Sequence, residues 1–333
     1  MPGINQHFLR ITMWKREKKN KTGFPAQVQA ICTRFGVREG DRNMKAVIII
    51  ICVVIILALF SLWNYRRFMP ALKSYGEPKY KVIKKVIHIK ANGRTIYGEI
   101  LLPEGKEGPL ATVICSHGFG SSYTLCESMA GMPLASQGYA AVCCDFCGGS
   151  KKTKSDLTMM DMSIFTEKED LLAIIDYVKE QEFVDPDNLF LFGESQGGMV
   201  SAITAIERMD DLKAMILYYP AFCIPDMAHE RFEKKEDITE VCDAFGLKIS
   251  RKYYEDVWDL DIYDEIARFD KPVLIMHGDK DQTVPHKYGK EGAAAYPDAE
   301  FITFPGEVHG WTGKGKIRAF QNSLKFLESQ IQK

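Results

Sequence analysis

The chain has 333 residues, of which 46% are hydrophobic, 26% are charged and 11% are aromatic, and its formal net charge at pH 7 is −1. This composition excludes an intrinsically disordered chain, and the length suits one large globular domain with an extension, or at most two domains. With so little net charge, no overall electrostatic field attracts the protein to nucleic acid, so we expect no nucleic-acid partner.

The N-terminal part of the sequence predicts a membrane anchor. Residues 1–43 are a basic tail without periodicity, and Ala46 to Trp63 then run without a charge. A helix of this length spans about 27 Å, close to the roughly 30 Å hydrocarbon core of a bilayer. The bulky, charged residues after it offer no signal-peptide cleavage site. We therefore predict an uncleaved transmembrane anchor over 44–66, a linker over 67–79 and a folded domain over 80–333.

Two features of this segment leave the topology open. Met44 directly precedes the apolar run, so the native start is either Met1 or Met44. The basic tail favours a cytoplasmic N-terminus and an exported domain, whereas the basic residues after the run argue the opposite way: Arg66, Arg67, Lys73, Lys79 and Lys81. We expect a protein held at the membrane by a single N-terminal helix. Its catalytic domain faces either side, with the extracellular side slightly favoured.

The nine cysteines point to free thiols rather than to a metal or disulfide framework. The count is odd, and several of them lie in apolar, strand-like runs, where a free cysteine packs as a small hydrophobic residue. Cys144 and Cys147 have C-x-x-C spacing, but no second such pair or histidine partner completes a zinc site. No metal or cofactor is predicted.

From residue 80 onward the pattern predicts an α/β protein. Val82–Ile89 and Thr95–Leu102 flank Asn92-Gly93, a strong hairpin signal. Short, uniformly apolar runs then alternate with helical segments: Ala111–Cys115, Ala140–Cys144, Leu189–Phe192, Ala214–Tyr218, Val273–Met276 and Phe301–Phe304. The clearest helix begins with capping-box spacing at Thr166 and Glu169. Uniformly apolar strands indicate a mostly parallel central sheet with helices on both faces, and the hairpin adds an antiparallel N-terminal edge.

One interval, residues 221–268, interrupts this alternation. It shows helical patterns but no strand, and it is rich in aromatic residues: Phe222, Phe232, Phe245, Tyr253, Tyr254, Trp258 and Tyr263. An insertion of this size at one crossover is typically a functional lid, so we predict a helical cap. The same aromatic residues can also form the small core of the insertion itself, and the two interpretations are compatible.

The sequence G-E-S-Q-G-G at 193–198 predicts a nucleophilic serine. G-x-S-x-G occurs by chance, but here it follows the strand Leu189–Phe192 and opens a helix through Met199 and Ile203. This is the strand–turn–helix of a nucleophile elbow, with Ser195 at the turn. The turn is sharp enough that side chains at positions 193 and 197 would collide with neighbouring elements.

A serine nucleophile needs a base and an acid. His309 lies in a short loop after the last strand, where the base of a Ser…Asp…His order is expected. Asp279 and Asp281 both follow the strand Val273–Met276. One of them can orient the imidazole, while the other is a turn residue.

The loop after the first parallel strand predicts an oxyanion hole. Ser116, His117, Gly118, Phe119 and Gly120 occupy it, and we assign the backbone N–H groups of Phe119 and Gln196 as the donors. We expect His117 to brace this loop rather than to act as a base.

Residues 80–333 resemble the α/β-hydrolase family, and within it the bacterial feruloyl/cinnamoyl esterase-like branch. The matching motifs are H-G-F-G (117–120), D-F-C-G-G-S (145–150), G-E-S-Q-G-G (193–198), H-G-D-K-D-Q-T-V-P (277–285) and G-E-V-H-G (306–310). The resemblance implies that the acid is Asp281, with Asp279 as the alternative, and that residues 221–268 line an acyl pocket. It names no individual substrate-binding residue. The membrane segment departs from the soluble members of the branch.

These features together predict a serine esterase that forms an acyl-enzyme and acts on small to medium acyl or hydroxycinnamoyl esters. Three alternatives stay open: a serine peptidase of the same fold, a monoacylglycerol lipase or lysophospholipase, and a catalytically inactive, membrane-tethered binding module. The oligomeric state is not predicted.

Overall fold

An eight-stranded sheet organises residues 75–331, which are the residues that the computed structural model describes. Its strands are β1 (Val82–Ala91), β2 (Arg94–Pro103), β3 (Leu110–Ser116), β4 (Ala140–Cys144), β5 (Val184–Glu194), β6 (Ala214–Tyr218), β9 (Val273–Gly278) and β10 (Ala299–Phe304). Two further strands, β7 (Val241–Ala244) and β8 (Leu247–Ser250), pair with each other in a separate antiparallel sheet.

The order of the large sheet is β1-β2-β4-β3-β5-β6-β9-β10. The N-terminal hairpin supplies the antiparallel edge, because β1 pairs with β2 and β2 pairs with β4 in that sense. All the other pairings are parallel. At the turn of the hairpin, Asn92 and Gly93 have φ of 51° and 74°, the left-handed geometry that a two-residue hairpin turn requires.

Helices cover both faces of this sheet. In chain order they are α1 (Tyr123–Cys126), α2 (Met132–Gln137), α3 (Ile164–Lys179), α4 (Gln196–Glu207), α5 (Ile224–Arg231), α6 (Lys252–Glu255), α7 (Ile262–Ile266), α8 (His286–Ala295) and α9 (Gly313–Ile331), with a π-helical stretch, Glu127–Gly131, between α1 and α2. Along β5, Leu191 joins the hydrophobic core that contains α3 and α4, whereas Phe190 and Phe192 join the core that contains α2 and α9. The predicted fold class is confirmed.

Helix α3 begins earlier than the sequence suggested. Its N-cap is Ser163, whose hydroxyl accepts the Thr166 N–H, while the Thr166 hydroxyl accepts the Ser163 N–H. The predicted start at Thr166, capped through Glu169, is therefore wrong by one turn. The earlier start places Glu167 inside the first turn, where its side chain is fully buried.

The interval predicted as a helical cap, residues 221–268, contains α5, α6 and α7, but it also contains the β7–β8 hairpin. The expectation of no strand there was wrong. The hairpin turns through Phe245 and Gly246, with φ of 53° and 76°, close to the values at Asn92 and Gly93. Phenylalanine rarely adopts this conformation, so the turn lacked the usual sequence signal.

The seven cysteines within residues 75–331 are free and buried: Cys115, Cys126, Cys143, Cys144, Cys147, Cys223 and Cys242. Burial raises the pKa of Cys126 and of Cys144 well above the usual range, so both are protonated thiols at neutral pH. The described residues hold no cluster of three or more metal-ligating side chains. None of the helices between residues 75 and 331 is long and apolar enough to cross a bilayer. The predicted tail (1–43) and anchor (44–66) lie outside the described residues.

Candidate active site

Ser195 sits at the turn between β5 and α4, in a backbone conformation that serine rarely adopts. Its φ is 51° and its ψ is −120°, and its N–H donates to the Tyr218 carbonyl at 2.9 Å. For a residue with a Cβ atom, such a conformation costs about 1–3 kcal/mol, and the surrounding structure must hold it in place. The turn presents the half-buried hydroxyl at the N-terminus of α4, where partial positive charge favours a developing anion.

Two glycines allow this turn. A Cβ atom at Gly193 would lie 2.4 Å from the Gly197 carbonyl oxygen, and one at Gly197 would lie 2.3 Å from the Ser116 carbonyl oxygen. Both contacts are with backbone atoms, which cannot rotate away as a flexible side chain could. As expected, side chains at positions 193 and 197 would collide with neighbouring backbone.

The structure brings Ser195, His309 and Asp281 together. His309 Nε2 lies 3.1 Å from Ser195 Oγ, and His309 Nδ1 lies 2.7 Å from Asp281 Oδ2. The three residues follow β5, β9 and β10, and the carboxyl ends of these parallel strands lie on the same side of the sheet. The ring of Tyr219 packs against the imidazole of His309 at a centroid distance of 4.5 Å.

Asp281 is buried and held by several donors. Its Oδ1 accepts the Thr283 and Val284 N–H groups, each at 2.9 Å. Burial alone would raise the pKa of this carboxyl, but hydrogen bonds from His277, His309 and the Val284 amide outweigh burial and hold the pKa well below its usual range. Asp281 is therefore an anion at neutral pH.

Asp279, the alternative acid, faces elsewhere. It is exposed, and its Oδ1 accepts the Gly306 N–H at 2.7 Å, so it tethers the turn after β9 to the loop after β10. Asp281, and not Asp279, contacts His309.

His277 is a further partner of the Asp281 carboxylate, and the sequence alone assigned it no role. The side chain is fully buried, and its Nε2 lies 2.8 Å from the Val284 carbonyl oxygen and 3.3 Å from Asp281 Oδ2. Both partners accept hydrogen bonds, so Nε2 carries the proton. No described group bonds Nδ1, which lies where a Cβ atom at Gly289 would approach to 2.3 Å. The available signal was the position of His277 at the end of β9, just before the acidic loop.

The loop assigned to the oxyanion hole packs directly on the turn at Ser195. A Cβ atom at Gly118 would lie 3.2 Å from Ser195 Cβ. Among residues 75–331, neither the Phe119 nor the Gln196 backbone N–H donates to another protein group, and both residues line the same cavity as Ser195. Two unpaired amides beside a serine hydroxyl are suited to binding an oxyanion.

His117 braces this loop, as expected. It is buried, its Nε2 accepts the Phe146 N–H at 3.1 Å, and its Nδ1 therefore donates to the Gly118 carbonyl at 2.9 Å. Burial lowers the pKa of His117, so the ring is neutral. With both nitrogen atoms occupied, it is not available as a base.

Glu194, next to Ser195, is a second brace of this loop, and no sequence signal pointed to it. Its Oε1 accepts the Gly118 N–H at 3.4 Å and its Oε2 accepts the Tyr219 hydroxyl at 3.0 Å. Burial raises the pKa of this carboxyl. Glu194 thus connects the loop beside Ser195 to the tyrosine that packs against His309.

A narrow, mostly apolar cavity lies between Ser195 and the cap. Its walls are Phe119, Ser195, Gln196, Ala221, Cys223, Ile224, Met227, Phe245, Tyr253, Thr283 and Val284. Its volume is about 30 Å³. This is small beside the roughly 300–1,000 Å³ of typical ligand sites, so a bound group of ligand size would extend beyond this cavity or displace some of its walls. Residues 221–268 supply half or more of these walls.

The mostly parallel sheet, with a serine at the turn from β5 into α4, defines an α/β hydrolase. Within that class the chain belongs to the prolyl oligopeptidase family, which residues 128–333 match.

Among solved structures, the fold is similar to that of Est1E from Butyrivibrio proteoclasticus with ferulic acid bound. The identity is 26% and the TM-score 0.66, over 74% of this chain and 100% of that one. Among curated proteins, it is similar to the α/β hydrolase domain-containing protein WAV2 of Arabidopsis thaliana, 28% identical over 48% of this chain and 53% of WAV2. It is also similar to the uncharacterized peptidase YtmA of Bacillus subtilis, 25% identical over 37% of this chain and 47% of YtmA. The chain spans about half the length of these curated relatives.

Proposed function

We propose that this protein is a serine hydrolase of carboxylic esters and that Ser195, His309 and Asp281 are its catalytic residues. The observation that carries the proposal is the continuous relay of hydrogen-bonding atoms from Asp281 through His309 to Ser195, at 2.7 and 3.1 Å. A serine alcohol becomes a nucleophile when a base removes its proton, and the base works when its other nitrogen is held by an anion.

In the proposed mechanism, Ser195 attacks the ester carbonyl while His309 takes its proton through Nε2. The anionic Asp281 fixes the proton of the imidazole on Nδ1 and stabilises the imidazolium that forms. The backbone N–H groups of Phe119 and Gln196 hold the oxyanion of the tetrahedral intermediate. His309 then protonates the leaving alcohol, and a water molecule repeats the cycle on the acyl-enzyme. No step requires a cofactor.

We propose small to medium acyl or hydroxycinnamoyl esters as substrates. The apolar walls of the cavity favour an uncharged acyl group, and ferulic acid is bound to Est1E, which is similar over 74% of this chain. The small volume of the cavity favours short acyl groups unless the cap moves.

Peptide cleavage is the second candidate, because the family is that of prolyl oligopeptidase and one relative is described as an uncharacterized peptidase. The same relay attacks amides as well as esters.

The membrane anchor predicted over 44–66 remains a proposal, and it would give access to lipid esters.

The test compares the full-length protein with its Ser195→Ala variant. Turnover is measured on p-nitrophenyl esters of increasing acyl length, methyl hydroxycinnamates, a monoacylglycerol and a prolyl peptide amide, and a fluorophosphonate probe reports the reactive serine. We expect ester turnover and labelling in the wild type, and loss of both in Ser195→Ala. Ser128→Ala is the control, because Ser128 is an exposed serine that bonds its own helix.

Each outcome of this panel assigns a substrate class. Faster turnover of the amide than of any ester would replace the esterase by a peptidase, and a steep rise with acyl length would favour a lipid substrate. If neither protein reacts with any substrate or with the probe, the nucleophile assignment is wrong and a binding module is the better interpretation.

A further inference from the structure

One cap residue, Tyr253, contacts both residues whose amides are assigned to the oxyanion hole. Its hydroxyl donates to Gln196 Oε1 at 2.6 Å. Its ring meets the ring of Phe119 edge to face, with centroids 5.7 Å apart. Tyr253 is itself buried, so neither contact competes with bulk water. The seating of the cap and the position of these two residues are therefore physically linked.

The side chain of Gln196 is also held from the opposite side. Its Nε2 donates to Glu167 Oε2 at 2.9 Å, and Glu167 lies in the first turn of α3. Oε1 of the same carboxyl has no hydrogen-bond partner within the described chain. Both ends of the Gln196 side-chain amide are thus fixed by buried groups, Tyr253 on the cap and Glu167 on α3.

The surroundings of Glu167 keep it uncharged. Its pKa is raised to about 8, because burial, with a contribution from the Asp170 carboxylate on the same helix, outweighs the hydrogen bond from Gln196, which lowers it. Arg94 is already paired with Asp170, at 2.7 Å. The titratable groups facing Glu167 from other elements are the neutral His117, whose Cε1 shares with Glu167 Oε1 the space beside Gly149, and the Tyr253 hydroxyl. None of these supplies a compensating positive charge.

We propose that Tyr253 and Glu167 are positioning residues that hold Gln196 in place and make the oxyanion hole depend on a seated cap. The inference rests on the proposed ester hydrolysis. Oxyanion donors act through their fixed orientation, and removing one typically lowers kcat by about 10²–10³-fold. A donor that is retained but loosely held should lose part of this effect. A substrate that lifts the cap would break the Tyr253 hydrogen bond and loosen the hole.

The first test is Tyr253→Phe, which keeps the ring against Phe119 and removes the hydroxyl. We expect kcat on a short p-nitrophenyl ester to fall on the order of tenfold, with KM changed less than about twofold, because donor positioning acts on the transition state. The matched control is Tyr254→Phe. Tyr254 is the neighbouring buried tyrosine, and its ring packs on Phe232 and Tyr253. The control should retain wild-type kcat. A change in KM alone for Tyr253→Phe would overturn the proposal and make Tyr253 a substrate contact.

The second test is Glu167→Gln, which keeps an acceptor for Gln196 and cannot ionise. Well below pH 8, the wild-type Glu167 is mostly protonated, and the readout is therefore the shape of the pH profile of kcat in the wild type and in the variant. As the pH rises through about 8, the wild-type carboxyl becomes a buried anion that has the Gln196 hydrogen bond but no cationic partner. Such an anion is costly to bury, so we expect the packing around Gln196 to rearrange and kcat to fall. Glu167→Gln should lack this decline. Rates are measured between pH 6.5 and 9.5, corrected for spontaneous hydrolysis, and thermal melts confirm that each variant is folded.

The two proposals fail in different ways. If the wild type neither hydrolyses esters nor reacts with a fluorophosphonate, the proposed function fails, and the positioning role fails with it. If the wild type is active and labelled, but Tyr253→Phe and Glu167→Gln match it in kcat and in pH profile, the positioning role alone is refuted.

Discussion

The backbone at Ser195 offers a test that does not depend on the substrate. With φ of 51° and ψ of −120°, this residue has a conformation that glycine adopts readily and that any residue with a Cβ atom adopts at a cost. We compare Ser195→Gly with Ser195→Ala. Both variants lose the hydroxyl and its contact with His309 Nε2, so the difference between them isolates the strain that the Cβ atom imposes.

The expected difference follows from two opposing effects. Relief of strain should stabilise the Ser195→Gly variant by about 1–3 kcal/mol. The greater freedom of glycine in the unfolded chain should offset this by about 0.5–1 kcal/mol. The net result is a free energy of unfolding about 1 kcal/mol higher for Ser195→Gly than for Ser195→Ala. In a domain of this size, that corresponds to a Tm about 2–4 °C higher.

Thermal and urea unfolding, followed by circular dichroism, measure this difference. Both variants should be inactive, so activity does not influence the comparison. Equal stabilities, or a more stable Ser195→Ala variant, would refute the idea that strain at the turn is borne by the Cβ atom.

Two further predictions concern the same edge of the sheet. Gly197→Ala should destabilise the protein by about 3 kcal/mol, because the new Cβ atom would lie 2.3 Å from a backbone oxygen. Gly313→Ala is the control, because an added Cβ atom at Gly313 would meet no heavy atom within 4 Å, and it should change the free energy of unfolding by less than about 0.5 kcal/mol. Equal losses of stability for the two variants in urea unfolding would contradict the steric argument. Asp281→Asn should lower kcat on the order of 10³–10⁴-fold, because the imidazole loses its anionic partner. Asp279→Asn alters only an exposed turn contact, so its kcat should stay within about threefold of the wild type. A larger loss of kcat for Asp279→Asn than for Asp281→Asn would show that Asp279 is the acid.

The sequence predicted those parts of the fold that depend on local pattern. The N-terminal hairpin was recognisable because Asn92-Gly93 is the pair that its turn favours, and the buried strands were recognisable by their uniform apolarity. The same turn geometry in the cap is formed by Phe245 and Gly246 between two four-residue strands, so neither signal was present. The start of α3 was misplaced for a related reason, since both Ser163 and Thr166 can cap a helix.

At the candidate site, the sequence did not predict contacts between residues that lie far apart along the chain. The three residues of the relay follow a known order along the chain, and the structure brings those same residues together. The residues that hold Gln196 in place, Glu167 and Tyr253, do not follow such an order. Glu167 lies 29 positions before Gln196, and Tyr253 lies 57 positions after it. No local pattern distinguishes a buried glutamate with such a partner from an exposed glutamate on the same helix.

The cap has a further consequence that comes from where its ends lie. The chain leaves the sheet at Tyr218 and returns at Val273, and these two residues belong to strands that pair directly with each other. An excursion between adjacent strands can change its length or its internal fold without altering the register of any strand, and the entropy of closing the loop grows slowly with length. Residues 222–272, which leave Tyr219 in place against His309, are therefore a segment that recombination could exchange as a unit. An incoming segment that keeps a hydroxyl at the place of Tyr253 would remain coupled to Gln196, so one retained residue would allow a new substrate preference on an unchanged catalytic frame.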